Sequence, residues 1–285
     1  MLKKRIISKI VVRDGIHVQS HAYHSYLPIG CPAYSAEYAS KWLADEILIV
    51  DISHRFAKTE INIPMLLKIS QAVNIPITYG GGVTNLDQAG KLFNLGFEKI
   101  SLNKSNFESP ELANAISKQF GAQSLILSID LIRHKGDYYV YDYMKQTDTI
   151  KLDNYLSKID LDLYGEISFS FPTRDGIKCG YDIEFASTYN FHKPVIINSG
   201  YGTPKHISDV LRLNENLSVG IGNSAAYIEH PFAVVKGALD DQSLFRSEKS
   251  FANYYHLVDQ QGRVTMPSER YLDDLIFKKV EYEII

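Results

Sequence analysis

Two cysteines in 285 residues, Cys31 and Cys179, are too few for a disulfide framework and stand in no zinc-ligand spacing. The expectation is a reduced, cytoplasmic setting with no bound metal and no cofactor. Long apolar runs are also lacking, and none approaches the roughly 20 residues that span a bilayer. The opening Met1-Leu2-Lys3-Lys4-Arg5 is basic, but the apolar stretch after it is short and broken by Lys9, so no secretory signal is expected. Positive charge is not in surplus. A formal net charge of -3 offers no field for a phosphodiester backbone, which argues against nucleic acid as a partner. Tryptophan occurs once, and bulk for a core comes instead from 19 Tyr and 13 Phe. With 45% hydrophobic and 22% charged residues the composition is that of a soluble globular protein, which excludes disordered and fibrous classes.

What is present is an alternation. Eight β-rich segments (6–12, 47–52, 75–79, 99–103, 124–130, 166–171, 195–198 and 218–222) are separated or followed by helical patterns at 34–44, 64–72, 86–95, 109–120, 182–189, 204–213 and 231–239. Several helices open on Pro or on a Ser, Thr or Asp cap. Strand–helix alternation predicts a parallel sheet, and eight units predict closure into a (β/α)8 TIM barrel over residues 1–245, with a doubly wound open sheet as the alternative. An internal echo supports duplicated halves: Ile75-Pro-Ile-Thr-Tyr-Gly-Gly-Gly82 parallels Lys193-Pro-Val-Ile-Ile-Asn-Ser-Gly200. Each echo ends a strand in small residues before a helix, where backbone N–H groups can face an anion. A lone Gly80–Gly82 would read as a tight turn. With the loops after strands 7 and 8, these features predict a phosphorylated small molecule at the top face.

The motifs Lys4-Arg5-Ile6-Ile7, Arg13-Asp14-Gly15, Asp45-Glu46-Ile47-Leu48-Ile49-Val50-Asp51-Ile52, Tyr79-Gly80-Gly81-Gly82, Glu98-Lys99-Ile100-Ser101-Leu102-Asn103, Ser128-Ile129-Asp130 and Arg174-Asp175-Gly176-Ile177-Lys178-Cys179-Gly180-Tyr181-Asp182 are long and collinear. Together they resemble the HisF family, the cyclase subunit of imidazole glycerol phosphate synthase, over roughly residues 1–239. The resemblance implies a ribulose-phosphate-binding type of barrel with cyclisation at the C-terminal face. It also implies ammonia entering from a docked HisH-like glutaminase at the N-terminal face. The family's charged ring at the barrel floor maps onto Arg5, Glu46, Lys99 and Glu166, although a plain salt-bridge layer would use the same residues. Phosphate or substrate binding maps onto Gly81, Gly82, Ser101, Asn103, Gly200, Gly202, Asn223 and Ser224, with Asp51 and Asp175 also matching.

Of the family's two catalytic aspartates, the strand 5 member is Asp130, but the strand 1 position holds Val11, which transfers no proton. Gln19, Thr173 and Ser199 also depart from the pattern. Asp14 lies in a turn. Lys9 and Arg13 share the period-two face of Val11 and are candidates for an anion. A retained gate beside a lost acid resembles a divergent branch of the family linked to surface-polysaccharide and flagellar sugars. That branch implies an ammonia-conducting subunit serving an N-sugar amidotransferase. The alternatives are a working histidine-biosynthesis cyclase and a non-catalytic phosphosugar-sensing scaffold.

Residues 246–285 form a C-terminal extension expected to pack on the barrel or a partner. It carries a turn at Gln260-Gln261-Gly262-Arg263 and a short helix over 267–277. Alternating Tyr139, Tyr141 and Tyr143 beside Tyr138 fit a hairpin above the mouth.

Overall fold

A computed structural model describes residues 4–56, 60–239, 254 and 257–264. In chain order its elements begin with β1 (Ile6–Arg13), β2 (Ile16–His21), β3 (Ser25–Gly30), α1 (Pro32–Lys41), β4 (Glu46–Asp51), α2 (Ile63–Ala72) and β5 (Ile77–Gly80). They continue with α3 (Leu86–Asn94), β6 (Lys99–Leu102), α4 (Ser105–Glu108), α5 (Pro110–Phe120), β7 (Leu125–His134), β8 (Asp137–Asp142), β9 (Thr147–Lys151) and α6 (Leu152–Leu156). The set ends with β10 (Glu166–Ser170), α7 (Ile183–Thr188), β11 (Val195–Ile197), α8 (Pro204–Leu211), β12 (Leu217–Ile221) and α9 (Pro231–Gly237).

Eight of the strands close on themselves. The parallel pairings run from β1 to β4, β5, β6, β7, β10, β11 and β12, and β12 returns to β1 with Ile7 opposite Gly220. This is the (β/α)8 barrel that the alternation predicts, and closure excludes the open-sheet alternative. The strands are buried along nearly their whole length because helices cover the outside and side chains fill the inside.

Local chemistry sets the element ends. Asn62, Asn85 and Asp182 each accept a backbone N–H from the residue three further on, which caps α2, α3 and α7. Proline occupies the first turn of α1, α2, α5, α8 and α9, where its missing N–H costs nothing. The third barrel strand begins at Ile77 rather than at residue 75, since Pro76 has no N–H for the ladder and contributes only its carbonyl, to Ile47.

Two antiparallel excursions rise above the barrel mouth. β7 turns back through Lys135-Gly136 into β8 and β9, the expected aromatic hairpin. The second, β2–β3, follows β1 through Asp14-Gly15, both residues at positive φ, as a two-residue hairpin loop requires. That hairpin was not anticipated, although the Asp-Gly pair is its sequence signal. Beyond α9, Tyr254 Oη lies in hydrogen-bond contact with His230 Nδ1 at 2.7 Å, and the Gln260 carbonyl accepts the Lys205 N–H at 3.1 Å. Gly262 sits at φ 82 in the expected turn, with Asp259 accepting the Gln261 and Arg263 amides. The helix expected at 267–277 lies outside the described residues.

Candidate functional site

The N-terminal end of the barrel is closed by four side chains from four strands or their leading edges. Arg5 Nη1 reaches Glu46 Oε1 at 2.8 Å and Glu166 Oε1 at 2.9 Å, while Nη2 reaches Glu166 Oε2 at 3.0 Å. Lys99 Nζ completes the ring with Glu166 at 2.6 Å and Glu46 at 3.2 Å. Two cations and two anions balance, and each side chain is at most 13% exposed. Burial works against the charge on Glu166, but Arg5 and then Lys99 outweigh it and hold the carboxyl below its ordinary range. For Arg5 the same burial is overcome by Glu166 and Glu46, which hold the guanidinium charged. Ile7 and Leu48, one inward position further along their strands, join Ile126 and Ile196 in a small apolar cluster.

At the C-terminal end Asp130 is buried, 5% exposed, with both oxygens occupied: Tyr23 Oη donates at 2.9 Å and Asn103 Nδ2 at 2.8 Å. Burial raises its carboxyl above the usual range, although Lys9, Tyr23 and Asn103 pull the other way. Asp175, also raised chiefly by burial, accepts from Ser20 Oγ at 2.6 Å. Asn223 grips the Ser20 backbone, accepting its N–H at 3.0 Å and donating to its carbonyl. Gln19 accepts from Tyr227 Oη at 2.9 Å. The β2–β3 hairpin therefore lies latched across the mouth, and Arg55 tightens it by bonding the Tyr23 carbonyl and Tyr26 Oη, both at 2.8 Å.

The residues expected to bind phosphate or substrate fall into two groups. Gly200, Asn223, Ser224 and Asp175 line one cleft together with Val11, Lys9 and Lys178. Gly202 does not line it; it packs against Lys178, and its N–H bonds His206 Nδ1 at 3.1 Å. Across the mouth, Asn103 serves Asp130, and Ser101 packs under Gly80. Gly82, at φ 63, presses so closely on His54 that a Cβ there would lie 2.0 Å from Nε2. Gly81 likewise passes over the Asp51 carbonyl. Asp51 itself holds the turn after β4, accepting the Ser53 amide and hydroxyl at 2.9 and 2.6 Å. Both echo loops turn left-handed at matching places, Gly81-Gly82 after β5 and Ser199-Gly200 after β11. Of the two extra cations considered, Lys9 points inward and is 9% exposed, while Arg13 stacks outward over Phe56 at 3.8 Å. Among the described residues no cluster of three or more metal-ligating side chains occurs, and no helix is long and apolar enough to cross a membrane.

With both ends of the barrel described, comparison with known proteins fixes the lineage. The family described as "Histidine biosynthesis protein" matches residues 5–229. The imidazole glycerol phosphate synthase subunit HisF of Staphylococcus saprophyticus is 31% identical over 231 residues, 79% of this chain and 90% of that protein. This chain belongs to the HisF family. A second HisF subunit, from Chlorobium luteolum, is 32% identical over 212 residues, 73% of this chain and 84% of that one. For a HisF barrel the departure that matters lies at β1. Val11 stands in register with Val50 of β4 and presents a methyl surface to the cleft where the resemblance places a carboxylate.

Residue patterns did not reveal Tyr23, Ser20 or Arg55 as part of the mouth. They reach it only because the hairpin folds over, and the legible signal was the Asp14-Gly15 turn that starts it.

Proposed function

We propose that this chain is the synthase-side subunit of a glutamine amidotransferase system. It docks a HisH-like glutaminase at the N-terminal face, passes ammonia through the barrel, and supplies a partner N-sugar amidotransferase. One juxtaposition carries the reading: a complete, charge-balanced Arg5–Glu46–Lys99–Glu166 ring at the floor beneath a mouth whose strand 1 acid is Val11. Four buried charges held in mutual contact form a closure that a docked partner can open by competing for one member. Loss of a positioned acid or base lowers a rate by about 10²–10⁴-fold, so the ordinary cyclisation is disfavoured.

Mixing the barrel with its cognate glutaminase tests the conduit, and stimulated glutamine hydrolysis is the expected result. Absence of both stimulation and complex formation rejects it. A second reading, the histidine-pathway cyclase, is favoured by the burial-raised Asp130 at the strand 5 position. Supplying the pathway intermediate with ammonium salt separates the two. Turnover typical of a cyclase rejects the first reading, whereas inactivity relieved by Val11→Asp supports it.

A further inference from the structure

A second cavity lies on the outer flank of the barrel. Side chains alternate along β1, so Ser8 and Ile10 face outward where Lys9 faces in, and α1 and α9 do not close over that outer face. Between them is a space of about 390 Å³. Small residues leave it open: Ala39 on α1, Gly30 at the end of β3, and Gly222, Ala225 and Ala226 after β12 supply walls without bulk. Tyr38 Oη spans from α1 to the turn before α9, accepting the His230 N–H at 3.2 Å. Protein interiors seldom leave a gap of this size, whereas ligand cavities of about 300–1,000 Å³ are mostly apolar with a few polar groups that orient the guest.

The lining has that character. Ile10, Ile29, Tyr38 and Phe232 present apolar surface, and exposed Cys31 opens the space to solvent. Among the described residues that line it only Lys9 is charged, and its ammonium is held inside the barrel by Ser170. A polar pair is set into the wall: His17 Nδ1 lies 2.8 Å from Ser35 Oγ. Burial pushes the His17 pKa down to about 4, so near pH 7 the ring is neutral, with one donor and one acceptor nitrogen. Nδ1 is taken by Ser35, and among the described residues no other group bonds the ring, so Nε2 keeps its hydrogen-bonding capacity.

We propose that this flank cavity is a binding site for a small uncharged molecule, an apolar ring bearing one hydroxyl or carbonyl that pairs with His17 and Ser35. An anion meets no cation there, and a carboxylate or phosphate stripped of water without one is costly to bury. The site lies outside the barrel, apart from the mouth and from the floor ring, so it stands or falls independently of ammonia conduction.

The two cysteines supply a test on the full chain, since Cys31 lines the cavity and Cys179, also exposed, does not. Phenol is the probe and benzoate its charged counterpart. Alkylation by N-ethylmaleimide is followed at each cysteine by peptide mass spectrometry. Phenol is expected to slow the reaction of Cys31 several-fold in a saturable way and to leave Cys179 unchanged. Benzoate should need at least tenfold higher concentration for the same protection. Ser35→Leu, which puts bulk into the cavity wall and removes the hydroxyl, is expected to abolish the protection by phenol. Should that variant fail to fold, the contrasts between the two cysteines and between the two probes in the wild type decide. An unchanged rate at Cys31, equal slowing of both cysteines, equal protection by benzoate, or protection that survives in Ser35→Leu overturns the proposal.

Discussion

His17 shows how a single buried ring sets a pH limit on the molecule. It lies 5% exposed on β2 with Nδ1 2.8 Å from Ser35 Oγ of α1, and burial pushes its pKa down from 6.5 to about 4. Above 6.5 both folded and unfolded chains hold it neutral. As pH falls toward 4, the unfolded chain takes up a proton that the folded one refuses, so stability drops, by about 3 kcal/mol at the limit. Urea midpoints measured at pH 7, 5.5 and 4.5 are expected to fall for the wild type more steeply than for His17→Gln. A parallel decline in the two proteins would show that His17 is not the group responsible. Nothing in residue type announced this, since a histidine in an alternating run is solvated or buried according to what packs on it. Val11 is the opposite case, because its side chain transfers no proton wherever it is placed, and the resemblance to the HisF family marks its position.

At the scale of elements the β2–β3 hairpin is the part that lies over the mouth. It is held by hydrogen bonds and has little apolar burial of its own, since β3 leaves most of its residues exposed. Tyr23→Phe removes the donor to Asp130 while keeping the ring. A hydrogen bond to a charged group is worth about 1.5–3 kcal/mol, so the free energy of opening this hairpin should fall by that amount. Amide exchange across residues 16–30 is the measurement: faster exchange confined to the hairpin is expected, and unchanged exchange would mean that Asp175, Asn223 and Arg55 hold it without the Tyr23 hydroxyl. The barrel strands and helices were readable because period and capping are local properties. The hairpin was legible only in its Asp14-Gly15 turn, because its own strands alternate without a strong apolar face and two of its partners, Asp175 and Asn223, come from loops over 150 residues away.

For the whole molecule the floor ring is a buried, charge-balanced layer that bears on stability and, on the conduit reading, on function. Removing one member of a buried ion pair costs about 3–5 kcal/mol because it leaves the opposite charge uncompensated. Arg5→Ala strips the only cation that contacts both glutamates through a guanidinium, and a loss of that size should appear in urea unfolding. On the conduit reading the same variant should also change glutamine hydrolysis in the complex. A large loss of stability with unaltered coupling to the glutaminase would reduce the ring to a structural layer. By itself the sequence determined the eightfold alternation, because it follows from periods of two and 3.6 along the chain, and its resemblance to the HisF family marked the residues of the ring and Val11 at the strand 1 position. Tertiary structure alone decided that four charges distant in sequence meet at 2.6–3.2 Å. It also decided that a hairpin is latched over the mouth by Asp130, Asp175 and Asn223. Closing the sheet fixes the register between strands, and only that register brings side chains from opposite sides of the barrel into contact.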